Sequence, residues 1–236
     1  MDIPELIETL EKIHGRARHL PRFDAMDELV SCIMSQHTAD ANSFPAFTRL
    51  RETFPDWQDV VDAGPERLAD VIRDAGLANS KARNIVNCLQ IIRERTGAYN
   101  LDELRDWTTE DANRWLLELP GVGPKTAAIV LCFSMGRNKI PVDTHVYRVS
   151  WRLGLVPEGI GETKAQAILE NTVPPELDFR FHTAFIQHGR TICRAPTPLC
   201  ERCPLTDKCW WFVEGSKRPK PPKGKKSASR PKNKEN

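Results

Sequence analysis

The stretch 118–130, ELPGVGPKTAAIV, sets two glycines, a proline and a lysine ahead of an apolar run. A helical pattern leads into it: TTEDANRWLLEL at 108–119 opens with a threonine suited to capping and carboxylates in the first turn. Proline at a first helical position is an ordinary start signal. Residues 108–134 therefore predict helix, PGVG turn, helix. Gly121 and Gly123, flanking the apolar Val122, can take positive φ and leave the backbone bare. A polyanion can then approach the free N–H groups of the following helix start. Ala127 and Ala128 are small enough for the two helices to pack closely. An ordinary αα-turn is the alternative. Two glycines around one apolar residue, proline ahead and a lysine just inside the second helix favour a phosphate clamp instead. Lys125 is the odd member, because a cation in the first turn of a helix forfeits about 0.3–1 kcal/mol of favourable electrostatics.

Outward from this hairpin the pattern stays helical. MDELVSCIMSQ (26–36) and KARNIVNCLQIIRERTG (81–97) carry one-sided apolar stripes, the second with Asn79–Ser80 as caps and Gly97 as its stop. VDTHVYRVSWRLGL, ETKAQAILENTV and LDFRFHTAFIQHGR continue the periodicity, and no alternating strand of useful length is found. The fold class expected is all-α. Leu6, Ile7, Leu10 and Ile13 make the charged N-terminus an amphipathic helix rather than a signal peptide. No stretch approaches the roughly 20 apolar residues of a membrane span. An intracellular protein, cytoplasmic or at the nucleoid, is expected. Charge is uneven along the 236 residues: 215–236 hold nine Lys or Arg against one Glu, net +8, which leaves residues 1–214 at about −6 within a total of +2. That tail, GSKRPKPPKGKKSASRPKNKEN, predicts disorder, and serves either solubility or unspecific affinity for nucleic acid.

Four of the seven cysteines, Cys193, Cys200, Cys203 and Cys209, are spaced C-x6-C-x2-C-x5-C in a segment without helical periodicity. In a reducing compartment such short spacing reads as a metal site, and four thiolates suit tetrahedral zinc or an iron–sulfur cluster. The loop between the first two holds only Arg194 as a cation, with Arg202 and Lys208 in later loops. Cys32, Cys88 and Cys132 fall in apolar helices and read as core.

LPGVGPKTA, IPVDTHVYRV (140–149), GLANSKARNI and HGRTICRAPTPLCERCPLTDKC together resemble the endonuclease III family of helix-hairpin-helix (HhH-GPD) DNA glycosylases, over about residues 25–212. The resemblance implies that Lys125 is the nucleophile that attacks C1′ of a damaged nucleotide and forms a Schiff base. The positive end of a helix disfavours a protonated amine and leaves more of it nucleophilic. It implies that Asp143, also a helix N-cap by its position, is the carboxylate that assists deprotonation and steadies charge on the sugar. Gln36 takes the role of filling the gap left by the extruded base. His37 stands where the family commonly has a small residue, and Leu77 is a wedge into the stack. The cysteine spacing matches the family's [4Fe–4S] site. Two helical domains with a DNA cleft between them are implied: a six-helix domain at 25–138 carrying the hairpin, and a cluster domain of 1–24 with 139–212, followed by a disordered basic tail at 213–236. The implied activity is that of a monomeric bifunctional glycosylase and abasic-site lyase acting on oxidised pyrimidines in double-stranded DNA. The alternatives fit less well. Adenine-excising relatives typically lack the hairpin lysine, mismatch-type thymine glycosylases generally have tyrosine there, and a non-catalytic clamp needs neither Lys125 nor Asp143.

Overall fold

The computed structural model describes residues 2–214. Among these the fold is all-α, with no strand. Eleven α-helices follow one another: α1 (Ile3–His14), α2 (Ala25–Ser35), α3 (Asp40–Thr53), α4 (Trp57–Val71), α5 (Ala78–Thr96), α6 (Thr109–Leu117), α7 (Pro124–Ile129), α8 (Thr144–Leu153), α9 (Glu162–Thr172), α10 (Asp178–Thr191) and α11 (Trp210–Val213). The expected basic tail lies outside the described residues except at its start. There Val213 still belongs to α11, so helix replaces disorder at that position.

Apolar burial gathers in two separate clusters. The first runs from Ala25 to Leu131 and is built by α2 to α7, with Leu29, Ile33, Leu50, Leu68, Ile85 and Leu89 fully enclosed. The second combines Leu6, Ile7 and Leu10 of α1 with residues 140–205. Phe181 and Phe185 of α10 stack there with ring centroids 3.9 Å apart. Each such side chain contributes about 1.5–3 kcal/mol on leaving water. Docking α1 onto α10 is therefore strongly favoured, although some 130 residues separate α1 from the rest of its cluster. Arg180 on α10 adds a bidentate pair to Glu11 of α1 at 2.7 and 2.9 Å.

The chain thus passes between the clusters twice, through residues 15–24 and again through 132–139. The two passages touch. His19 Nε2 donates to the Cys132 carbonyl at 2.7 Å, and its ring meets Phe179 edge-on.

Local rules explain most helix ends. Thr108 caps α6 by accepting from Asp111 N at 3.1 Å, and Asp24 caps α2 by accepting from Asp27 N at 2.8 Å. Two elements depart from the sequence expectations. α5 starts at Ala78, not after Asn79–Ser80. Leu77, at φ 50°, ψ 33°, makes the turn into the helix, so both polar residues fall inside the first turn and neither caps it. α4 is broken at Gly64–Pro65, where Gly64 takes φ 75°. Gly189 allows α10 and α8 to approach closely: a Cβ there would meet His145 Cβ at 2.9 Å.

Candidate active site and DNA interface

The hairpin forms as its residues dictate. Gly121 adopts φ 80° and Val122 N donates back to the Leu119 carbonyl at 3.1 Å, closing the turn. Val122 plugs into the first core while Gly123 leads into α7 at Pro124. Gly121 is also pressed against α5, since an added Cβ would lie 2.9 Å from Asn84 Nδ2. Gln36, the residue following α2, donates from Nε2 to the Gly121 carbonyl at 2.7 Å. Gln36 is thus held on the hairpin itself. His37 beside it is exposed at φ 53°, and Leu77 is 64% exposed.

Lys125 occupies the second position of α7 with its side chain exposed. Its charge acts on two buried groups, Cys32 of α2 and His182 of α10. Asp143 caps α8. His145 N and Val146 N donate to its Oδ1 at 2.9 and 2.8 Å, which fixes the carboxyl group and leaves Oδ2 outside the cap. Asp143 also acts on His182, so this imidazole feels the two sequence-predicted groups at once: one from the hairpin, one from the helix beyond the second passage.

His182 is a functional candidate that the sequence reading did not name. It is buried, and its Nδ1–H donates to the Pro141 carbonyl at 2.7 Å, two residues before Asp143. Burial pushes it below the ordinary histidine range. The Pro141 carbonyl and Asp143 oppose that, and Lys125 adds to it. A neutral ring donating through Nδ1 has Nε2 as its unprotonated nitrogen. No spacing in the sequence marks this residue; only the packing of α10 against residues 140–143 does.

The four predicted cysteines come together around one small cavity of about 20 Å3, with Arg152 and Trp211 in its wall. A single zinc ion would need its sulfurs about 2.3 Å from a common centre. Among the described residues no three His, Cys, Asp or Glu side chains converge in that way. The thiols instead line a chamber. Burial pushes Cys200, Cys203 and Cys209 upward, Cys203 to about 11, and their mutual repulsion adds to the effect. A cation at their centre would offset that repulsion, so the four thiols are a candidate ligand set. α8 ties the chamber to Asp143. Arg148 donates to the Cys193 and Gly189 carbonyls at 2.8 Å each, and Arg152 donates to Cys193 Sγ at 3.3 Å and to the Arg194 carbonyl at 2.9 Å. Neither arginine was singled out by sequence reading. Lys208 in the last loop is paired with Glu5 at 2.5 Å. Cys32, Cys88 and Cys132 are buried, as their helical setting predicts.

The helical body has two cores, a glycine hairpin that presents a lysine, and an aspartate that caps the helix after the second passage. Residues 30–175 match the family model of the HhH-GPD superfamily of base excision DNA repair proteins, and the chain belongs to that superfamily. It is 36% identical to the endonuclease III of Thermotoga maritima over 80% of this chain and 84% of that protein. A protein of Arabidopsis thaliana assigned as a DNA glycosylase is 38% identical over 75% of this chain, which spans 58% of that relative's length. In three dimensions the chain is similar to a trapped endonuclease III–DNA covalent intermediate. The TM-score is 0.78 at 28% identity, covering 91% of this chain and 97% of the other. Within the superfamily it is an endonuclease III-like DNA glycosylase.

Proposed function

We propose that the protein is a bifunctional glycosylase and abasic-site lyase that removes oxidised pyrimidines from double-stranded DNA. The observation that carries this reading is the glycine hairpin that presents Lys125 at the start of α7, together with the Asp143 carboxyl held at the start of α8 by His145 N and Val146 N, in a chain that belongs to the HhH-GPD superfamily. An extruded nucleotide seated between these two groups presents C1′ to Lys125 Nζ. The amine attacks C1′, and the electron pair of the glycosidic bond leaves with the base, which is protonated. Loss of the amine proton, assisted by Asp143, opens the sugar to a Schiff base. Removal of a C2′ proton then expels the 3′ phosphate and breaks the strand. Asp143 steadies the positive charge that builds on the sugar during the first step.

We assign residues 25–138 to one domain and residues 1–24 with 139–212 to the other, a division that the two buried clusters support. Cys193, Cys200, Cys203 and Cys209 would hold a [4Fe–4S] cluster, whose contribution is structural. Arg148 and Arg152 carry that contribution along α8 to its cap, Asp143. The protein is read as an intracellular monomer acting at the nucleoid, with Gly121, Val122 and Gly123 clamping a DNA phosphate.

Borohydride trapping tests the chemistry. The protein is incubated with a duplex holding one thymine glycol, reduced and run on a denaturing gel beside Lys125→Gln. A covalent complex with the wild type and none with the variant is expected. Base loss revealed only by alkali, with no trapped complex, would replace the bifunctional reading by a monofunctional one.

A further inference from the structure

Lys81 is a buried cation with no part in that chemistry. It lies in the first turn of α5, 3% exposed, and its Nζ donates to the Met34 carbonyl at 2.5 Å, to Thr38 Oγ1 at 2.6 Å and to the Ala75 carbonyl at 2.6 Å. Three oxygens around one nitrogen match the three donors of an ammonium group. The Thr38 hydroxyl in turn donates to the Ala75 carbonyl, so the three oxygens and the nitrogen form one closed knot. An unpaired ammonium at this depth would cost several kcal/mol, which the knot offsets.

The three acceptors belong to two different turns. Met34 and Thr38 bracket Gln36 and His37, while Ala75 stands two residues ahead of Leu77. His37 and Leu77 are also the two non-glycine residues at positive φ among the described residues, at 53° and 50°. Each such conformation costs about 1–3 kcal/mol and persists only where the surroundings over-determine it. Both side chains nevertheless point into solvent, so their own packing does not impose the strain. What the two turns share is the buried nitrogen beneath them and the Thr38–Ala75 hydrogen bond that it supports.

We propose that Lys81 is a positioning residue that locks the Gln36–His37 turn and the Leu77 turn into one rigid wedge, so that both enter the duplex at a fixed spacing when a nucleotide is extruded. The inference rests on the reading of these turns as the elements that enter DNA. Its physical advantage is that the turns are ordered on folding rather than on binding, so less of the binding energy is spent on arranging them.

The test uses the full chain and a duplex carrying 2-aminopurine beside a tetrahydrofuran abasic analogue, whose fluorescence reports unstacking independently of any cleavage. Lys81→Met should slow the fluorescence rise by roughly tenfold, while affinity for an undamaged duplex and its salt slope stay as in the wild type. Thr38→Val, a milder change that leaves the lysine in place, should move the same signal in the same direction, and stands alone if Lys81→Met does not fold. Leu77→Ala should slow the rise in the wild type and add little in either variant background, because the wedge is already loose. Independent, multiplying effects of the Leu77 and Lys81 changes would overturn the inference while leaving the turns as DNA-entering elements. A wild-type protein that gives no fluorescence change would overturn that underlying reading, and the inference with it.

Discussion

Asp178 opens α10 as a residue only 5% exposed, with Oδ1 buried and without a hydrogen-bond partner. Burial raises it from an ordinary 3.8 to about 7, with Glu170 and Glu176 pushing the same way and Lys139 opposing. Between those values the folded chain holds a proton that the unfolded chain has released. The stability this confers is full below 3.8 and is lost as pH rises through about 7. Asp178→Asn should therefore raise the melting temperature at pH 8, by the equivalent of about 1–3 kcal/mol, and the gain should shrink toward pH 5 in thermal scans. A gain independent of pH would assign the effect to something other than this titration. Asp178 was not legible in the sequence, and neither were His182 and Lys81. Each owes its character to tertiary burial, which leaves no periodic trace. Lys125 and Asp143 stood out because each sits at a helix start, where neighbouring residues alone fix the local field and the available N–H groups.

At the level of elements, the hairpin was the most legible feature, since proline, glycine and the apolar stripes of α6 and α7 all signal the same geometry. Residues 40–71 were not resolved into helices. Pro45 lies inside the continuous α3, Gly64–Pro65 breaks α4, and both read in sequence as helix breakers. The hairpin also gives a sharp prediction. Gly121→Ala places a methyl against Asn84 at a residue whose φ is 80°, a combined cost of about 1–3 kcal/mol. The variant should melt earlier and bind duplex DNA more weakly, as calorimetry and a fluorescence anisotropy titration would show. Unchanged affinity in a destabilised variant would remove the turn from the DNA interface.

Over the whole molecule, the apolar stripe of α1 showed only that one face would be buried; that α1 would join residues 139–212 was implied by the family resemblance, and the second buried cluster does combine α1 with residues 140–205. On the proposed cluster assignment, iron content and stability should be coupled across the second core. Cys203→Ala should yield a colourless protein with a lower melting temperature, and a variant that keeps its iron would place the fourth ligand elsewhere. A chain ending at Glu214 should lose affinity for DNA with a smaller dependence on salt, because the nine cations of 215–236 no longer displace counterions. An identical salt slope would make the tail a solubility element. The paired passages at 15–24 and 132–139 carry a mechanical consequence. Two bodies joined at one place can turn about any axis through it, whereas two connections fastened together at His19 and Cys132, with Gln166 on Pro124 and Arg190 on Asp40 also bridging the cores, leave far less freedom to reorient.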